Sequence, residues 1–201
     1  MTVVFGNVCI GAGGGLTPGF WSNKNGEKAM KDGGTLAPEL ALLSALNLRN
    51  AAGANFDPAT YPIFRTWLLD SNATNMAFKL SSHLAAMTLN VEAGFVSGGS
   101  LVYAPRLLAF PPSGLNALGF ISIGNLLAAA NTELGLHGNT PSGSPFRAYQ
   151  EALKKRSGQC EQQSKFRAAA PLPVHFRPVA GTRRARTRSG ALSVEYRVRK
   201  A

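Results

Sequence analysis

The string Phe20-Trp21-Ser22-Asn23-Lys24-Asn25 carries the side chains best suited to contact chemistry. An indole can stack on a sugar ring while the neighbouring amides and ammonium bind its hydroxyls, which makes Trp21, Asn23, Lys24 and Asn25 candidate binding residues. The same string suits an anchor, with the Trp plugged into a helical core and the Asn side chains tying turns. The anchor is the preferred reading and the sugar contact the alternative.

Other chemistry finds less support. His83 falls on a helical stretch with no acidic residue three or four positions away, and His137 falls in a Gly-rich turn. A metal or acid–base role needs converging partners, and neighbours in sequence supply none for either histidine. The glycine run Gly11–Gly15 lacks what a phosphate loop requires. It is followed by Leu16-Thr17-Pro18-Gly19 rather than by a helix start, and no Gly-Lys-Ser/Thr is present. Neither a G-x-S-x-G elbow nor an H-E-x-x-H pair occurs. No catalytic residue, metal ligand or cofactor site is therefore assigned.

The charge is divided along the chain. Residues 1–153 hold 8 Lys/Arg and 8 Asp/Glu, whereas residues 154–201 hold 13 and 2. All of the net +11 thus sits in the last part of a 201-residue chain. A basic tail ordinarily points to nucleic acid or an anionic surface, and Arg183-Arg184-Ala185-Arg186-Thr187-Arg188 would suit the former. No apolar run approaches the length of a membrane span. Met1–Gly11 has no Lys/Arg ahead of its broken apolar stretch, so no signal peptide is evident there.

The elements that must position these residues are mostly helical. Gly11–Gly26, with six glycines, one proline and two asparagines, reads as loop. Leu36, Leu40 and Leu43 then repeat at helical spacing, with Pro38 suited to a first turn. Phe64, Trp67 and Leu68 form a second apolar face. Met76, Leu80, Leu84, Met87 and Val91 mark an amphipathic helix capped by Asn75 and stopped at Gly94. A Gly/Pro/Ser-rich stretch follows, with one β-like piece at Leu101-Val102-Tyr103. Ile123, Leu126, Leu127, Ala130 and Leu134 define a fourth helix. Ser144-Pro145 opens a fifth, whose buried edge is Phe146, Tyr149 and Leu153. The expected fold is mainly α: a small bundle of about five helices with a Gly-rich N-terminal loop and an unstructured tail.

The residues that carry a wider likeness are now in view. Leu16-Thr17-Pro18-Gly19-Phe20-Trp21-Ser22-Asn23 resembles the "LT-x-G-[FY]-W-x-N" opening of a family of uncharacterised bacterial secreted or surface-associated domains. The likeness continues through Phe64–Leu69, Leu84–Val91, Gly94-Phe95-Val96, Val102–Pro105 and Ile123–Asn131, and ends at Arg147–Leu153. The resemblance implies an exported domain with no activity to carry onto residues. Its motif positions, among them Trp21, Asn23 and Asn90, are expected to be structural. The partners left open are a cell-surface glycan or a protein.

Beyond Leu153 the family pattern runs on as A-L-D-x-A-N-N-N-x-N-F-V-Q-P-x-P-C-P-F-T-F, and this chain departs from it. Reading one base later, Gln159, Glu161, Gln162 and Lys165 each become Asn or Ser, and Cys160 becomes Ala or Val. Residues 159–176 can then read N-A-N-N-N-Q-N-F-V-Q-P-P-P-C-P-F-T-F. Composition agrees: residues 1–153 hold 13 Asn and 4 Arg, while residues 154–201 hold 9 Arg and no Asn, Asp, Ile, Met or Trp. The tail thus reads as a shifted frame. No Cys9–Cys160 disulfide is expected; in the repaired frame the resemblance would instead offer Cys9 the cysteine of the P-C-P-F segment. Three segments follow: a Gly-rich lead over 1–15, a helical domain over 16–155, and a basic tail over 156–201 that reads as out of frame and unstructured. The expected function is a non-catalytic extracellular or cell-surface structural or interaction module, with nucleic-acid binding through the tail, or a glycan-binding or enzymatic domain centred on Trp21, as the alternatives.

Overall fold

A computed structural model describes the backbone of residues 9–10, 15–32 and 34–162, with side chains over 15–32 and 34–155. All of them belong to one compact unit. The described residues are mainly helical, as the periodicity implied. The described residues form seven α-helices: α1 (Pro18–Trp21), α2 (Lys24–Lys31), α3 (Ala37–Ser44), α4 (Tyr61–Asp70), α5 (Met76–Glu92), α6 (Ile123–Leu136) and α7 (Arg147–Gln162). The last five are the expected ones. The additions, α1 and α2, occupy a stretch that its glycines and asparagines had marked largely as loop. Pro18 starts α1, where a missing N–H costs nothing. Asn23 starts α2 by accepting from the Asn25 and Gly26 N–H groups.

The centre of the molecule is α5, which packs against α6 and α7 and also meets α1 and α3. Its apolar period predicts one buried stripe, yet Ala77, Phe78, Ala85, Ala86 and Leu89 are buried along with Met76, Leu80, Leu84 and Met87, while Val91 is only partly buried. A helix enclosed by neighbours on several sides must be apolar or internally satisfied around most of its circumference. Ser81 meets that demand by donating to the Ala77 carbonyl and accepting from the Arg49 N–H. The Asn75 cap is in place, its side chain accepting from the Ala77 N–H at 3.1 Å.

Phe64, Trp67, Leu68, Leu80, Leu84, Met87 and Leu126 are all buried in one cluster, with Leu127 and Tyr149 partly buried against it. Phe146 departs from expectation, being 43% exposed. Helix α7 starts at Arg147, so Phe146 lies in the preceding turn, outside the helical phase that would have turned it inward.

The β-like piece is β2 (Leu101–Tyr103), the middle strand of a small antiparallel sheet. Its neighbours are β1 (Cys9–Ile10), inside the lead, and β3 (Phe120–Ser122). The backbone of α7 runs on to Gln162, past the boundary expected near residue 155. The rest of the tail, the glycines Gly11–Gly14, and the side chains of Cys9 and Cys160 lie outside the described residues. No helix among the described residues is long and apolar enough to cross a membrane.

Candidate functional site

Trp21 ends α1 and is 1% exposed. Its Nε1–H donates to Asn90 Oδ1 at 3.3 Å, and that same oxygen accepts the Leu16 N–H at 2.9 Å. Asn90 Nδ2 returns a bond to the Leu16 carbonyl at 2.8 Å. The fully buried amide of Asn90 thus pairs with both backbone groups of one residue, Leu16, as a neighbouring strand would, and holds the indole with it. Phe20 and Phe95 meet the Trp21 ring at 5.2 and 6.1 Å between centroids. The indole borders a hollow of about 280 Å³ with Met30, Asp32, Glu39, Glu92 and Phe95, but no face of the ring is open to a sugar.

The turn after Trp21 is fastened from a second side by α4. Tyr61 Oη lies 3.1 Å from the Trp21 carbonyl and 2.7 Å from that of Asn23, sharing its one proton between them. Arg65 Nε donates to the Ser22 carbonyl at 3.0 Å. Burial, and then the charge of Glu27, push the Tyr61 phenol above its ordinary range, which keeps it a donor. Asn23 is exposed, yet its side chain is engaged at both ends, accepting from Asn25 and Gly26 and donating to the Gly19 carbonyl. Gly26 closes the arrangement. A Cβ there would stand 2.3 Å from the Phe20 oxygen and 2.6 Å from Trp21 Cα, both backbone atoms. Lys24 and Asn25 are exposed at the start of α2.

A second set of polar groups escaped the sequence reading. Asn75 Oδ1 accepts from the Thr140 N–H, Thr140 Oγ1 donates to Gln150 Oε1 at 2.6 Å, and Gln150 Nε2 donates to Glu133 Oε1 at 3.2 Å. Glu133 Oε1 also lies 3.1 Å from His137 Nδ1. Asn75, Thr140, Gln150 and Glu133 are buried, and only His137 reaches the surface, where its ring stacks on Phe146. His137 therefore does have a partner, which corrects the expectation that it has none. The signal was available: Glu133 stands four residues earlier, on the same face of α6. Thr140 and Gln150 sent no such signal, because their pairing depends on how α7 folds back on α6. His83 is half-buried on α5.

Glu133 and Tyr149 also line a cavity of about 370 Å³ between the loop at Pro112-Ser113 and helices α6 and α7. Comparison with protein-family models, with curated proteins and with solved structures finds no match to the chain.

Proposed function

We propose that the chain is a non-catalytic extracellular or cell-surface module serving structure or interaction, as its likeness to the LT-x-G-[FY]-W-x-N family implies. The supporting observation is the employment of the motif itself. Asn90, Tyr61 and Arg65 all bond the backbone between Leu16 and Asn23, and Trp21 is sealed beneath them. The most distinctive residues of the sequence hold its N-terminal segment onto the helices, and the indole N–H of Trp21, the amide of Asn90 and the amide of Asn23 are all engaged within the protein. Expression from the native locus with its upstream DNA, followed by fractionation, tests the reading. Protein in the medium or on the cell surface is expected, and retention in the cytosol would overturn it.

The basic tail favours a second reading, in which the chain binds nucleic acid. Residues 154–201 hold 13 Lys/Arg against 2 Asp/Glu. Salt-sensitive DNA binding that vanishes on deletion of residues 156–201 would establish it. Sequencing the gene across codons 150–165 decides whether those residues belong to the natural chain. A displaced frame is expected there, and an uninterrupted one in independent reads makes the tail genuine.

A further inference from the structure

The cavity between α6 and α7 holds a carboxylate, Glu133, whose paired group His137 is a cation only when protonated. Its walls are Pro112, Ala128, Ala129 and Leu136, its polar groups Ser113, Asn125, Thr132 and Tyr149, and its one charged lining residue is Glu133. Glu133 is only 6% exposed. Both of its hydrogen bonds, from Gln150 Nε2 and at His137 Nδ1, end on Oε1. Oε2 takes none among the described residues, and Glu133 lines the cavity.

A carboxylate drawn from water, with both of its hydrogen bonds on one oxygen, favours a cation at the other. Around it, short apolar side chains leave room for an aliphatic stem, and a volume of about 370 Å³ is at the small end of ligand sites. The phenol of Tyr149 is pushed up by burial and then by the charge of Glu133, so it stays protonated and able to donate beside the carboxylate. Its ring packs on Phe110, which together with Leu136 and Phe146 is left exposed. We infer that this cavity binds an aliphatic ammonium group, free or as the end of a lysine side chain, with Glu133 Oε2 as its anion and the alanine wall against its stem. The inference rests on the binding-module reading, and it places the ligand away from Trp21.

The test is an NMR titration of the full chain with n-pentylamine, n-pentanol and Nα-acetyl-lysine methylamide. The amine is expected to shift the resonances of Ala128, Ala129 and Tyr149 saturably, and the alcohol to bind roughly tenfold to hundredfold more weakly, the loss of one charge-assisted hydrogen bond. Tighter binding of the lysine derivative assigns the site to a peptide, and preference for the free amine assigns it to a small molecule. Glu133→Gln, which keeps an acceptor for Gln150, should weaken the amine by the same factor. Ala128→Leu fills the cavity from an exposed helical position and should abolish binding with unchanged thermal unfolding. Equal affinity for amine and alcohol, absence of any saturable shift, or undiminished binding by Ala128→Leu would overturn the inference. Chemical turnover of the amine in the same tube would instead refute the non-catalytic reading and leave the site standing.

Discussion

Replacing Asn90 by Ala isolates the bonds that hold the N-terminal segment. Asn90 is 0% exposed, and its amide makes three bonds, at 2.9, 3.3 and 2.8 Å. Truncation strands the Trp21 indole N–H where water does not reach, a loss of about 1–3 kcal/mol. The Leu16 peptide is half-buried and regains water, so its two bonds contribute only about 0.5–1 kcal/mol each. The expected destabilisation is about 2–5 kcal/mol. Urea unfolding followed by circular dichroism measures it: with a slope of about 2 kcal/mol/M, the midpoint falls by about 1–2.5 M at unchanged slope. A double-mutant cycle with Trp21→Phe, which deletes the N–H while keeping an aromatic ring, should return a coupling of about 1 kcal/mol. A loss below about 0.5 kcal/mol, or strict additivity with Trp21→Phe, would show that the amide does not hold the indole.

Three further perturbations follow from the same geometry. Gly26→Ala forces a methyl to within 2.3 Å of the Phe20 carbonyl oxygen, a backbone atom that cannot swing aside. It should destabilise by about 1–3 kcal/mol, as overpacking does, and an unchanged urea midpoint would count against the close approach. Leu84→Ala, at a fully buried position of α5, should lose about 2–5 kcal/mol; a loss under 1 kcal/mol would mean the helix sits in another phase. Tyr149 titrates above its ordinary value, so the folded state holds the phenolic proton more tightly than the unfolded chain. Its contribution to stability is complete below a pH of about 10 and is lost as pH rises through the folded-state value. Tyr149→Phe should flatten the alkaline fall in denaturation midpoint, and an identical profile in both proteins would refute the shift.

Local signals made much of the fold legible. The Asn75 cap and the spacing of Met76, Leu80, Leu84 and Met87 lie within a few turns of one another, so α5 could be read where it stands. Helices α1 and α2 could not, because the glycine that argues against helix at position 26 is there for close packing on Trp21. Asn90 drew notice only through the family likeness, since its partners lie far away in sequence. The Glu133–His137 pair was within reach of a helical-spacing argument, whereas Gln150 and Thr140 join it only once α7 has folded back. Phe146 shows the cost of placing a helix start too early: two positions of phase turned a residue at the rim into one expected inside.

The bond between Leu16 and Asn90 spans 74 positions of sequence. During synthesis the Leu16–Gly26 stretch leaves the ribosome well before the end of α5, and until then only α4 is there to hold it, while the Asn90 amide that binds the indole is still missing. At elongation rates of about 5–20 residues per second, the indole waits for several seconds without its partner. Local helix formation takes about a microsecond, so α1 and α2 can flicker many times in that interval without being fixed. The segment made early is secured late, and for those seconds Phe20 and Trp21 are the apolar surface that a chaperone would meet.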